Sequence, residues 1–268
     1  MPRYDFTGPR LYIDAPLAGG AQIKLDRAQA NYLLNVLRLK PRDGVLLFNG
    51  RDGEWRGMPG EAGKRGASIV VGEQTRAQPP AGDLHVLFAP LKHARLDYMV
   101  QKAVEMGATS LQPVLTRHTQ VARVNLQRMR ANAIEAAEQC GILTLPEIAA
   151  PVAFKAMLAK REPSRLLIFC DEDAPVQDPV AALAAARPQP AALVSIGTAA
   201  ATPLAVLLGP EGGFAEHERA ELLNQPNVLR LALGPRILRA DTAAIAALTL
   251  VQAVLGDWRG AQTEKNKV

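Results

Sequence analysis

Cysteine, histidine, aromatics and long apolar runs are all scarce in this chain, and each scarcity narrows its function. Two cysteines in 268 residues, Cys140 and Cys170, stand thirty positions apart without CxxC or Cys/His spacing. Neither a disulfide framework nor a zinc site can be read from them, which fits a reducing cytoplasm. The four histidines (His85, His93, His118, His217) are scattered and no HExxH occurs, so no metal is expected. Aromatics make up 4% of the chain while Ala and Leu abound, which favours an α/β fold over an all-β one. The longest near-apolar stretch, "TAAIAALTLVQAVLG", is too short for a bilayer and is broken by Thr249 and Gln252. It reads as a buried helix, and no membrane partner is expected. "MPRYDFTGPRLYID" has no apolar h-region, so a cytoplasmic protein is expected.

Hydrophobic residues, at 48%, suffice for a sizeable core in one large domain or two ordinary ones. Residues 10 to 76 carry short strand patterns: "RLYI", "AQIKL", "GVLLFNG", "GEWRGM" and "ASIVVGEQ". "NGRDG" (49 to 53) is a turn signal between two of them. "DRAQANYLLNVLRLK" interrupts as a helix, with Asp26 as N-cap and an apolar stripe of Tyr32, Leu33, Val36 and Leu37. A small barrel with an embedded helix follows from this pattern. "QTRAQPPAGD" (74 to 83) reads as a linker.

Beyond it the pattern alternates. "LHVLFAP" is a strand, and "ARLDYMVQKAVEMG" a helix burying Leu96, Met99, Val100, Ala103 and Val104 with Gly107 as its stop. "SLQPVLT" is a strand and "NLQRMRANAIEAAEQCG" a helix. "RLLIFC", "ALVSI" and "LAVLLG" are further strands. A helix starts near Ala215, "VLRLAL" is a strand ending in Leu233, and a last helix starts near Asp241. "VAALAAARPQPAA" reads as a loop. The alternation predicts a mostly parallel sheet covered on both faces.

The net charge is +5, and residues 1 to 76 hold 12 Lys/Arg against 8 Asp/Glu, most of the excess. That distribution fits either a nucleic-acid-docking module or a basic solvated surface. Two loops invite a ligand. "LLGPEGGFAEHE" (207 to 218) passes from strand to helix through Gly209, Pro210, Gly212 and Gly213 around one carboxylate, Glu211. Ligands in parallel sheets bind at carboxyl ends of strands, and glycines let them approach the backbone. The pattern is neither GxGxxG nor GxxxxGK[ST], and Glu211 would repel a polyphosphate, so a neutral or cationic ligand fits better. A tight turn before a helix capped by Glu216 and Glu218 accounts for the same residues. "LRLALGPRILRADTAAIAAL" (229 to 248) repeats the arrangement, with Asp241 and Thr242 as N-cap residues. Two such loops can face one ligand from two sides.

Together the two segments resemble the ribosomal RNA small subunit methyltransferase E family of the SPOUT superfamily. That family shows a GPEGG block followed by a hydrophobic residue, three positions and a Glu, then an LG-x-RILR-x-[ED]-TA block. "NVLRLKPRDGVLLFNGRDGEW", "APLKHARLDYMVQKAVEMGA" and "EAAEQCG" are similar to three further family motifs, in order, from about Arg3 to Asp257. The chain departs from the usual pattern in Ala240-Asp241 for Thr-Glu, Ile142 for Arg, Asn31 for His and Met106 for Leu.

The resemblance implies a PUA-like β-barrel over residues 1–76 and a SPOUT methyltransferase domain over 83–258, with a trefoil knot that periodicity would not suggest. It implies a homodimer, S-adenosylmethionine as cofactor, and methylation of 16S rRNA at N3 of uridine 1498 in standard numbering, on the assembled 30S subunit. Cofactor contacts are expected at Leu208, Gly209, Gly212, Gly213, Leu233, Gly234, Ile237 and Leu238. Methylation at N3 requires loss of the imide proton and a counter-charge for the ring. Arg236 and Arg239 are expected to supply the charge, and Glu211 or Asp241 to accept the proton. Otherwise Arg239 pairs with Glu211, and Asp241 only caps a helix. RNA phosphates are expected on Arg3, Arg10, Arg38, Lys92 and Arg117, unless Arg38 merely flanks a helix C-terminus. Methylation of tRNA and a non-catalytic RNA-binding role are the competing readings.

Overall fold

The computed structural model describes residues 8–40, 43–60, 67–175, 178–187 and 202–258. Two compact units emerge, one of residues 1–80 with 134–145, the other of 81–133 with 146–268.

In the first unit, β1 (Arg10–Tyr12), β2 (Gln22–Lys24), β3 (Val45–Phe48), β4 (Glu54–Pro59) and β5 (Ser68–Arg76) form one sheet in the order β1-β3-β4-β5-β2. The β1–β3 pair is parallel and the rest antiparallel. β1 and β2 are three-residue edges not paired to each other, so the expected barrel is an open half-barrel among the described residues. Inward residues of these strands, with Ile13 just after β1, alternate into a core of Leu11, Ile13, Ile23, Val45, Leu47, Ile69 and Val71, closed by Leu33. The 49–53 turn is built by Asn49, whose Oδ1 accepts from the Arg51 and Asp52 N–H groups at 2.9 and 2.8 Å. β5 runs through Arg76, so the connecting loop is shorter than the 74–83 linker expected.

Asp26 caps α1 (Arg27–Asn31) in a capping box with Gln29. The predicted helix then departs from its α geometry: Tyr32–Val36 is a π-helical turn closed by the Leu37 N–H on the Tyr32 carbonyl. The extra residue per turn rotates the stripe. Leu33 is buried, but Val36 is 62% exposed, where the periodicity had placed it inside.

In the second unit, β6 (Leu84–Phe88), β7 (Ser110–Leu115), β8 (Glu147–Ile148), β9 (Val152–Ala153), β10 (Leu166–Cys170), β11 (Leu204–Leu208) and β12 (Val228–Leu231) form a parallel sheet, ordered β12-β10-β11-β6-β7-β8 with β9 also on β7. α2 (His93–Glu105) buries the five predicted residues and stops at Gly107, whose φ is +80°. α3 (Leu126–Cys140) begins in this unit, and its residues from 134 on belong to the first. α4 (Phe154–Lys160) and α5 (Pro179–Ala185) are helices that the sequence pattern does not announce. α5, read as loop, is started by Asp178 as N-cap and Pro179 at N1. α6 (Glu216–Leu223) and α7 (Ala240–Val254) complete the set. α7 packs against α2 and α5 and over β11. The opposite face of the sheet buries Leu167, Phe169, Ala205 and Leu207 with Phe154, Met157, Phe214 and Leu222. β10 and β11 are buried at every position, as parallel strands covered on both faces must be. β12 ends at Leu231, two residues before the expected end, and the expected strand 192–196 lies outside the described residues.

Candidate functional site

β11, β10 and β12 are neighbours in register, with Cys170 opposite both Leu208 and Leu231. Their carboxyl ends therefore release three loops at one sheet edge. Those loops enclose a cavity of about 490 Å³, ample for a small-molecule ligand. One wall is Gly209–Gly213 after β11, and the facing wall runs from Leu231 through Leu233, Gly234, Arg236, Ile237, Leu238 and Arg239 to Ala240 and Ala243. Cys170, Asp171 and Glu172 after β10 also line it.

Of the expected cofactor residues, Gly209, Gly212, Gly213, Leu233, Gly234, Ile237 and Leu238 meet here. Leu208 does not: it is buried in β11, hydrogen-bonded between β6 and β10. Pro210, Glu211, Gly212 and Gly213 form a turn closed by the Gly213 N–H on the Pro210 carbonyl at 2.9 Å. Gly213 has φ +69°, and a Cβ there would stand 2.7 Å from Glu172 Oε1. Gly209 serves packing instead, since a Cβ on it would meet the Phe214 ring at 2.6 Å. That ring lies edge-on against Phe169 with centroids 4.9 Å apart.

Two contacts from the loop after β7 brace the turn. The Arg117 N–H donates to Glu218 Oε1 at 2.7 Å, while Glu218 Oε2 accepts the Ala215 N–H at the start of α6. His118 Nδ1 lies 3.2 Å from both the Gly212 and Gly213 oxygens. Carbonyls only accept, so Nδ1 carries the proton.

The electrostatics redistribute the expected roles. Glu211 lines the cavity and pairs with Arg95 of α2, not with Arg239. Arg236 and Arg239 line the cavity, are exposed, and form no ion pair among the described residues. Asp241 is a correction on two counts: it lies outside the lining, and Arg239 is the N-cap of α7. Its carboxylate accepts the Thr242 N–H at 2.9 Å. The helix starts at Ala240, one residue earlier than expected, and this places Asp241 inside its first turn.

Asp171 was not foreseen, although it directly follows a predicted strand end. Burial pushes its carboxyl up, but hydrogen bonds from Arg219 and Arg230 and from the Asp173 N–H outweigh this and hold it below the usual range. The Arg219 fork is bidentate, both bonds at 3.0 Å, and Arg230 Nε adds one at 2.7 Å. Burial, then the Asp171 charge, push the Cys170 thiol up to about 12. Such a shift disfavours the nucleophilic thiolate form.

Among the expected RNA contacts, Arg38, Lys92 and Arg117 are exposed. Arg38 takes the left-handed conformation, φ +54°, immediately after the π-helical turn. Arg3 lies outside the described residues. Arg10 is corrected: its side chain is 3% exposed and pairs with the buried Glu54, which also holds Arg76 at 2.6 Å. Arg76 in turn donates to the Gly141 carbonyl. A phosphate could engage Arg10 only by taking it from a buried carboxylate.

Residues 77–252 match a family model described as an RNA methyltransferase domain, and residues 25–72 match an RNA methyltransferase PUA domain. The ribosomal RNA small subunit methyltransferase E of Rickettsia conorii is 31% identical over 91% of this chain and 94% of its own. That of a Synechocystis strain is 30% identical over 88% and 74%. The structure of the Neisseria gonorrhoeae ribosomal RNA small subunit methyltransferase E bound to S-adenosyl methionine superposes with a TM-score of 0.77 at 26% identity, covering 94% of this chain and 99% of that one. A putative methyltransferase from Legionella pneumophila, solved with bound cofactor SAM, gives 0.74 at 26% identity, over 93% and 99%. With an N-terminal PUA domain, a C-terminal RNA methyltransferase domain and these relatives, the chain belongs to the ribosomal RNA small subunit methyltransferase E family.

Proposed function

We propose that the protein is a cytoplasmic, metal-independent, homodimeric S-adenosylmethionine-dependent methyltransferase of 16S rRNA. Its target is N3 of uridine 1498 in standard numbering, on the assembled 30S subunit. Residues 1–76 serve as the RNA-binding domain, and 83–258 as the methyltransferase domain with its C-terminal chain in a trefoil knot. The observation that carries the reading is the cavity between two Gly-Pro loops at the carboxyl ends of three adjacent parallel strands.

The residues present fit the cofactor. Leu231, Leu233, Ile237 and Leu238 offer an apolar bed for adenine, with backbone groups around Gly234 open to it. Gly212 and Gly213 present backbone on the opposite side. S-adenosylmethionine bound there supplies an electrophilic methyl group. Uridine N3 is itself the nucleophile once deprotonated, so no enzyme nucleophile is needed. Glu211 accepts the imide proton, and Arg95 holds its carboxylate in place. Arg236 and Arg239, charged and unpaired among the described residues, offset the ring's negative charge. Arg38, Lys92 and Arg117, together with Arg3, contact RNA phosphates.

The decisive experiment is mass spectrometry of 16S rRNA from a deletion strain, with and without the gene restored. The N3-methyl mark is expected to vanish on deletion and return on complementation. Its persistence after deletion would overturn the target assignment. Absence of cofactor binding by calorimetry would favour a non-catalytic RNA-binding role.

A further inference from the structure

The cavity is chemically two-sided. The wall after β12 is largely apolar: Leu231, Leu233, Ile237, Leu238, Ala240 and Ala243. The other side gathers three carboxylates, Asp171, Glu172 and Glu211. Two of the three are already committed. Asp171 accepts three hydrogen bonds from Arg219 and Arg230, and Glu211 is engaged by Arg95.

Glu172 is different. Its side chain is 46% exposed, and the cation within 4.0 Å of it among the described residues is Arg219, at 3.8 Å. That distance is too long for a hydrogen bond, and the same guanidinium already serves Asp171 and, at 3.0 Å, Asp173. The Glu172 carboxylate also lies against the open face of the Gly213 turn, where a Cβ would come within 2.7 Å of it. A carboxylate that lines a ligand cavity, accepts no hydrogen bond among the described residues, shares its nearby guanidinium with Asp171 and Asp173, and has its place against the turn kept open by a glycine is set to receive a ligand cation that carries N–H donors.

We infer that Glu172 binds the α-ammonium group of the methionine end of S-adenosylmethionine, and so orients the cofactor with its adenine on the apolar wall. The inference rests on the cofactor reading above. An ammonium offers N–H donors for charge-assisted hydrogen bonds, which a sulfonium does not. Glu172 is thus a recognition residue, set apart from the groups that handle the uridine.

Calorimetry with three ligands separates the contributions: S-adenosylmethionine, S-adenosylhomocysteine (no sulfonium) and 5′-methylthioadenosine (neither sulfonium nor amino acid). In Glu172→Gln, the first two are expected to weaken alike, by about tenfold or more, while methylthioadenosine binds as to wild type. Glu172→Asp, which keeps the charge, is expected to recover much of the loss. Equal weakening of all three ligands marks a structural role and overturns the inference, as does no change in any. Weakening confined to S-adenosylmethionine points to a sulfonium contact and overturns it too. If wild type binds none of the three, the cofactor reading itself fails, which is a distinguishable result.

Discussion

Gly213 joins sequence and site most directly. Its φ of +69° is open to glycine and costs an L-residue about 1–2 kcal/mol. Any side chain there would also press on Glu172. Gly213→Val is expected to weaken S-adenosylmethionine binding by about tenfold or more while the chain still unfolds cooperatively. Calorimetry paired with a thermal melt checks both parts, and an unchanged affinity would remove this turn from the site. The two Gly-Pro loops marked Gly213 and Gly234 as candidate ligand-facing positions, and the family resemblance added Arg236 and Arg239. They did not reveal that Gly209 is a glycine because Phe214 packs over it, or that Glu211 is claimed by Arg95, 116 positions away.

Among elements, α3 carries a result that its motif did not announce. "EAAEQCG" ends this helix, and its residues work inside the first unit. Glu138 Oε1 accepts the Tyr12 N–H of β1 at 2.9 Å, and the Gly141 carbonyl accepts from Arg76. Burial pushes the Glu138 carboxyl up, and the Tyr12 N–H offsets this only in part. A raised folded-state pKa means that the favoured neutral form contributes fully below the unfolded value, near 4.5, and is lost as pH rises through the folded one. Glu138→Gln keeps an acceptor for Tyr12 and removes the charge. It is expected to be more stable than wild type at neutral pH, with the gap closing as pH falls toward 4.5. Glu54 has the opposite sign. Burial raises it, but Arg76, Thr75 and Arg10 together hold it below 4.5, so its contribution is present above that pH and lost as pH falls through the folded value. Urea midpoints of the Glu138→Gln variant and wild type across this range test the Glu138 sign.

For the whole molecule, the basic excess divides into two kinds of arginine that composition cannot tell apart. Arg38 and Arg117 face solvent; Arg10 neutralises Glu54 inside the first unit. Arg38→Ala and Arg117→Ala are each expected to lower the salt slope of rRNA binding by about one phosphate contact without shifting the melting temperature. Arg10→Ala is expected to leave the slope unchanged and to cost about 1.5–3 kcal/mol of stability, by removing one charge-assisted hydrogen bond from a buried carboxylate that Arg76 and Thr75 still hold. Fluorescence anisotropy across a salt series, with melts of each variant, separates the two groups.

What the sequence determined by itself was everything encoded locally. Strand alternation, the stripe of α2, the Asp26 cap and the two Gly-Pro loops follow from side-chain period, capping chemistry and backbone freedom within a few neighbouring residues. The π-helical turn escaped that reading because its hydrogen bonding adds a residue to the period that pattern counting assumes. Only the tertiary structure decided which charges are free. Pairings such as Asp171 with Arg219 and Arg230, Glu211 with Arg95 and Arg10 with Glu54 join residues 44 to 116 positions apart. Such partners are set by how strands and helices pack, and Coulomb attraction acts through that geometry irrespective of sequence distance.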